Sequence, residues 1–167
     1  MPPINQFEQA VEYRKGDFLL STDRERLDLD VIHSFLTDCY WAKGISRELV
    51  ARSLENSLCF GVYASSEQVG FARVVSDFAT YAYFGDVFVL DSFRGQGLGK
   101  WMMECIVQHP RLQGLRRWTL RTRDAHGLYS QFGFTSLNTP ERYMELHDPE
   151  VYQRIDLRKE QRILSEK

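Results

Sequence analysis

After Asp28, a residue suited to cap a helix N-terminus, Leu29, Ile32, Phe35 and Leu36 recur at helical spacing. Gly44 ends the helix they predict. Ser46 caps a second one running to about Asn56, with Leu49, Val50 and Leu54 apolar. Ahead of both, residues 17–22 read as a first strand. Residues 58–64 and about 68–75 read as two strands of a hairpin around the polar turn Ser65-Ser66-Glu67. Residues 82–90 are nearly all apolar or aromatic, which predicts a central strand covered on both faces. The loop from Asp91 to Gln96 then leads into a helix from Gly97 to about His109. Leu98, Met102, Cys105 and Ile106 share one face of it, and Pro110 stops it. Residues 116–122 alternate as a strand does, with Trp118, Leu120 and Thr122 on one side and Arg117, Thr119 and Arg121 on the other. A short helix near 125–132, strands near 134–137 and 142–146, and a charged helix opening at Asp148-Pro149 complete the pattern.

The order is β-α-α-β-β-β-α-β-α-β-β: antiparallel strands followed by one strand–helix–strand crossover. It predicts a mixed α+β domain with a twisted central sheet. At 167 residues, 43% of them apolar and 26% charged, the chain reads as one globular domain over 1–167. Residues 1–12 are expected to be loosely ordered and 148–167 to form a C-terminal helix or tail. A net charge of −2 gives no global field toward nucleic acid or an anionic membrane, so neither is expected as a partner. The apolar runs are far below the roughly 18 residues that span a bilayer. The N-terminus lacks a basic and an apolar leader region, and the three cysteines show no paired spacing. A cytoplasmic setting is the expectation. No metal-ligand cluster is visible in the sequence.

The charge is uneven. From Arg94 to Arg123 there are seven basic residues and one acid, Glu104, a local excess of 7 − 1 = +6. Either a phosphate-bearing ligand or a solvated basic face accounts for it. Within this stretch lies Arg94-Gly95-Gln96-Gly97-Leu98-Gly99-Lys100, which follows the buried strand and opens an amphipathic helix. Helix N-termini carry unpartnered N–H groups and positive potential, and glycines let a phosphate approach them. The spacing is one residue too short for a nucleotide-binding P-loop, with Trp101 where a metal-binding hydroxyl would stand. It also departs from the dinucleotide fingerprint G-x-G-x-x-G.

Arg94-x-x-Gly97-x-Gly99 resembles the (Arg/Gln)-x-x-Gly-x-(Gly/Ala) signature of the GNAT superfamily of acyl-CoA-dependent N-acyltransferases. Asp86-Val87-Phe88-Val89 is similar to that family's fourth strand. Leu128-Tyr129-Ser130-Gln131-Phe132-Gly133-Phe134 looks like its Leu-Tyr-x-x-x-Gly-Phe element. The likeness is good over roughly residues 58–146. It implies a mostly antiparallel sheet of 6–7 strands flanked by about four helices, with the parallel fourth and fifth strands splayed apart. The backbone of Val87, Phe88 and Val89 would run along the pantetheine arm of acetyl-CoA. The N–H groups from Gly95 through Gln96, Gly97, Leu98 and Gly99 to Lys100, with Arg94, would hold its pyrophosphate. Many relatives carry an Asn seven residues before the Tyr; Thr122 stands there, and His126 and Asp124 lie near enough in sequence to substitute as a cofactor contact.

The implied activity is transfer of an acetyl group from acetyl-CoA to a primary amine of a small molecule. Acetylation of protein N-termini or lysines, or a non-catalytic acyl-CoA-binding module, are the alternatives. Acyl transfer needs a deprotonated amine, a held oxyanion and a donor to the leaving thiolate. Tyr129 is the candidate acid, against the alternative of a core Tyr beside Phe132 and Phe134. The Val89 N–H is the candidate oxyanion donor. Asp86 interrupts an apolar strand, so it is either a base or amine anchor, or a structural Asp hydrogen-bonded to a neighbouring segment. Trp41, Arg73, Tyr83 and Phe84 are the candidate acceptor-binding residues. For Arg73 the alternatives are a substrate carboxylate or a cross-strand acid. The alternating Arg117/Thr119/Arg121 strand further suggests a homodimer.

Overall fold

A computed structural model describes residues 9–154. Six strands form one sheet in chain order: β1 (Glu12–Lys15), β2 (Phe18–Ser21), β3 (Leu58–Ala64), β4 (Glu67–Ser76), β5 (Tyr81–Val89) and β6 (Arg117–Leu120). Every neighbouring pair is antiparallel except β5 and β6, which run parallel. The helices are α1 (Leu29–Asp38), α2 (Arg47–Glu55), α3 (Leu98–Val107) and α4 (His126–Ser130). The chain forms two compact units. Among the described residues, one holds 9–28 together with Leu54–Phe134; the other holds Leu29–Ser53 and 135–154.

In the first unit the sheet and α3 bury a shared core. Leu98, Trp101, Met102, Met103, Cys105 and Ile106 of α3 are buried against Phe60, Val62, Ala72, Val74, Ala82 and Phe84 of the sheet. Removing such side chains from water stabilises by about 1.5–3 kcal/mol each, which makes this layer the rigid support of the unit. The β4–β5 turn is built by Asp77, whose carboxylate accepts from Ala79 N (3.0 Å), Thr80 N (2.8 Å), Tyr81 N (3.0 Å) and Thr80 Oγ1 (2.6 Å). These bonds hold the Asp77 carboxyl far below the usual carboxylate range. In the second unit, Ser46 Oγ accepts from Leu49 N at 3.4 Å at the start of α2, as its capping role requires. His33 Nε2 lies 3.0 Å from the Ile45 carbonyl and ties α1 to the loop before α2.

Two sequence expectations change. An unexpected strand, β1, pairs with β2 across the Gly16-Asp17 turn, where Gly16 takes φ +56°. The strands expected fourth and fifth are therefore β5 and β6. Conversely, residues 134–137 and 142–146 are not strands. Pro140–Arg142 forms a short 3-10 turn between them, and Met144 and Leu146 are 98% and 104% exposed. An alternating pattern holds a strand only where one of its faces is buried, and neither residue finds such a face. Residues 151–154 are helical, and the remainder of the expected C-terminal helix lies outside the described residues. So does most of the 1–12 segment, although Glu12 already belongs to β1. Among the described residues no helix is long and apolar enough to cross a membrane.

The end of α3 is fixed by His109, which is 2% exposed and meets Phe60 edge-on at 5.5 Å. Its Nδ1 accepts from Arg111 N at 3.3 Å, capping the turn Pro110–Leu112, so the neutral ring is required. Burial, helped by Arg111, pulls its pKa from 6.5 down to about 4. In the unfolded chain this histidine protonates first, so its contribution is complete above about pH 6.5 and is lost as pH falls toward 4. Melting temperatures measured from pH 7 to pH 4 should fall, and His109→Gln should give a lower starting value with a flatter decline.

Candidate active site

β5 changes its alternation midway. Arg73 of β4 faces Gly85, but Phe71 faces Phe88, so Ala72 is opposed by two residues, Asp86 and Val87. This is a β-bulge with Asp86 at φ +55°, a left-handed conformation that bulges of this kind usually reserve for glycine. Asp is among the few side chains that tolerate it, at about 1–3 kcal/mol. Before the bulge Ala82 and Phe84 point into the α3 core; after it Val87 and Val89 do. Phe88 turns to the other face, against Phe71 at 5.9 Å.

The bulge also assigns the edges. Leu90 N–H donates to Val69 C=O at 2.8 Å, so ladder alternation turns the backbone groups of Val89 away from β4. Beyond that edge β6 has already left: its pairing with β5 covers only Tyr81–Phe84 against Arg117–Leu120. Among the described residues, the outer edge of Gly85–Val89 has no strand beside it. The Val89 carbonyl accepts from Arg94 Nε at 3.1 Å, and Arg94 also pairs with Asp91 at 2.9 Å. Arg94 thus braces the loop between the open edge and α3.

That loop ends in two left-handed glycines, Gly95 (φ +77°) and Gly97 (φ +75°), with Gly97 at the N-cap of α3. A side chain on Gly95 would meet nothing within 4 Å; on Gly97 it would meet only Lys15 Nζ, at 3.6 Å. Open space therefore lies over the first turn of α3, where Leu98, Gly99 and Lys100 present their N–H groups. The Leu98 side chain is buried in the core, while Gln96 and Lys100 are exposed. Lys15 was not foreseen. It reaches this place because β1 and β2 form a hairpin whose Phe18 packs edge-on against Phe93 at 6.4 Å. A cation beside the positive end of a helix is unfavourable by itself and is compensated when an anion sits between them.

The remaining candidates fall into distinct places. Asp86 Oδ2 accepts from Arg73 Nε at 2.7 Å, and Arg73 Nη1 donates to Ser57 Oγ at 3.2 Å. Each side chain is the other's cross-strand partner, so the geometry favours the structural reading of Asp86 and the cross-strand reading of Arg73 together. Tyr83 lies beside this pair: burial first, then the Asp86 carboxylate, raises its phenol above 10. Phe84 is 2% exposed, stacked on Trp118 at 5.5 Å and edge-on to Phe134 at 5.8 Å, which makes it a core residue. Tyr129 is buried in the same aromatic group, 6.0 Å from Phe134. Thr122 Oγ1 accepts from Ala125 N at 3.0 Å, setting the entry to α4, and His126 is exposed on its first residue. Trp41 belongs to the other unit, meets Tyr40 edge-on at 5.0 Å and is 43% exposed. Burial pushes the thiols of Cys59 and Cys105 up to about 12 and about 11, leaving both as protonated, unreactive thiols; Cys39 is half-exposed. Among the described residues no group of three or more His, Cys, Asp or Glu is placed to hold a metal ion.

Comparison with known proteins agrees with this geometry. Residues 55–136, from the end of α2 past α4, match the family described as the Acetyltransferase (GNAT) domain. The chain is 31% identical over 142 residues to a candidate acetyltransferase of Gibberella zeae, covering 71% of this chain and 79% of that protein. It is 50% identical to a candidate GNAT-family acetyltransferase of Xanthomonas campestris pv. campestris, whose crystal structure superposes with a TM-score of 0.79 over 81% of this chain and 96% of the other. A GNAT-family acetyltransferase of Elizabethkingia anophelis, solved with acetyl-CoA bound, shares the fold at a TM-score of 0.58 and 14% identity, over 80% of this chain and 90% of its own. With a splayed parallel strand pair, a left-handed glycine turn opening α3 and relatives of this kind, the chain belongs to the GNAT acetyltransferase family.

Proposed function

We propose that the protein transfers an acetyl group from acetyl-CoA to a primary amine of a small molecule. The observation that carries this reading is the open outer edge of Gly85–Val89, which leads directly into the glycine turn at the start of α3. Acetyl-CoA matches both features: amides along its pantetheine arm suit a strand edge, and its diphosphate suits the helix N-terminus. The residues present fit the donor, because Gly95 and Gly97 leave open the space that side chains would fill, and Lys15 adds a cation there.

In the proposed reaction the neutral amine attacks the thioester carbonyl, the new C–N bond forms and the C–S bond breaks. Starting from the ammonium form, two protons leave the nitrogen; one ends on sulfur and the other in solvent. Tyr129 supplies the proton to sulfur and is reprotonated in turn, and the Val89 N–H faces the developing oxyanion. Direct attack is favoured over an acyl-cysteine route because Cys59 and Cys105 stay protonated near neutral pH. Free thiols at all three cysteines fit a reducing cytoplasmic setting.

CoA or acetyl-CoA should raise the melting temperature of the protein by mass action. Gly97→Glu should abolish that rise, since it forces a side chain into the left-handed position and sets a negative charge at the helix N-terminus. Stabilisation by ATP or NAD with none by CoA would refute the donor assignment.

The role of Tyr129 is read from Tyr129→Phe, which keeps the ring and its contact with Phe134 and removes only the hydroxyl. Turnover with the best amine from an acceptor panel should fall by about 10²–10⁴, with CoA affinity nearly unchanged. Wild-type turnover in this variant would remove Tyr129 from the proton path.

A further inference from the structure

We infer that Arg73 and Asp86 form a latch that sets the register of the donor-binding half of β5, and that both act in acetyl transfer as positioning residues. The inference rests on the acetyl-CoA reading above. Asp86 is one of three non-glycine residues with positive φ among the described residues. The other two, Ser65 and Phe78, lie in turns. Asp86 instead stands inside a strand, at the bulge where Ala72 faces two residues. A non-glycine residue keeps such a conformation only when its surroundings over-determine it.

The surroundings here are specific. Arg73 is the last residue of β4 in the first register, opposite Gly85, and it reaches one residue along β5 to bind Asp86 Oδ2 at 2.7 Å. Both side chains are largely buried, at 19% and 13% exposure, so the pair is screened far less than a surface pair. Ser57 fixes the far end of the guanidinium at 3.2 Å. Gly85 completes the fit: a Cβ there would stand 3.2 Å from both Arg73 Nη2 and the Tyr83 ring, so the guanidinium lies where a side chain would otherwise be.

The consequence falls on the next three residues. Without the extra residue at 86, Val87 and Val89 would swap faces with Phe88, and their N–H and C=O groups would swap edges. The backbone groups of Val89 would then point at β4 instead of at the open edge. The latch thus acts on the donor through the strand, with no contact of its own to the reacting atoms.

The test compares Asp86→Gly with Asp86→Ala. Glycine takes positive φ without a latch; alanine has neither the freedom nor the carboxylate. Asp86→Gly should keep turnover within about threefold of wild type and retain the shape of the pH profile, whereas Asp86→Ala should raise the KM for acetyl-CoA roughly tenfold. Arg73→Gln should weaken donor binding in the wild-type chain and add nothing in the Asp86→Gly background. A loss of about 10²–10⁴ in kcat in both Asp86 variants, with the acidic limb of the pH profile gone, would overturn the latch in favour of a general base. Wild-type kinetics in both variants would overturn it equally. So would a raised acceptor KM on Arg73→Gln in the Asp86→Gly background, which would make Arg73 an acceptor anchor. If Asp86→Ala does not fold, the Gly variant and the Arg73 pair decide the matter alone. If the wild-type chain binds no CoA, the donor reading fails by itself. The latch is then read from hydrogen exchange at the Phe88 amide, expected to be faster in Asp86→Asn,Arg73→Gln than in Asp86→Gly; equal rates overturn it.

Discussion

Ala72 of β4 is opposed by two residues of β5, Asp86 and Val87, and that one-residue mismatch governs everything the strand does afterwards. A strand has two faces and two edges, and all four alternate with period two. Inserting one residue exchanges both pairs at once. On the faces, the inward positions pass from Ala82 and Phe84 to Val87 and Val89. On the edges, the Val89 carbonyl is turned outward to Arg94. The same short segment becomes half of a buried core and half of an exposed ladder, which is the combination a strand needs if it is to pair with an extended ligand.

Two other constraints make that edge usable. First, β6 must leave. Its parallel pairing ends at Phe84 against Leu120, just ahead of the bulge, where the Phe84 ring stacks on Trp118 of β6 and meets Phe134 edge-on. Second, the open edge must run into something that accepts negative charge. The 3-10 turn Asp91–Phe93, braced by Arg94, carries the chain directly from Val89 to the left-handed glycines and α3. Burial of six α3 side chains against the sheet fixes where that helix begins. Rigid packing on one face thus positions the backbone groups of an open strand edge on the other side of the same segment.

Much of this was legible in the sequence, because it is written locally. Gly97 and Gly99 after an apolar strand announce a helix N-terminus made for close approach, and the alternation of residues 116–122 announces the strand that follows. Other features left weaker traces. The Gly16-Asp17 pair is a two-residue hairpin signal, but Glu12–Lys15 carries only Tyr13 as an apolar residue, so no apolar alternation marks β1. With β1 unseen, Lys15 could not be placed near Gly97. Gly85-Asp86 within an apolar run is a bulge signal, and the same interruption reads equally well as catalytic until Arg73 is seen to cross from β4. That pairing joins residues thirteen apart, and no periodicity reports it. The error at 134–146 is of the opposite kind: the local alternation is present, but no buried face rewards it.

The most direct measurement of the central claim is amide hydrogen exchange along β5, with and without saturating acetyl-CoA. Phe88, paired with β4 in the ladder, should already exchange slowly in the free protein. Val87 and Val89 should exchange faster when free and become protected when the donor is present. Unchanged exchange at Val87 and Val89, with protection appearing on other strands, would contradict the assignment of this edge as the donor's seat.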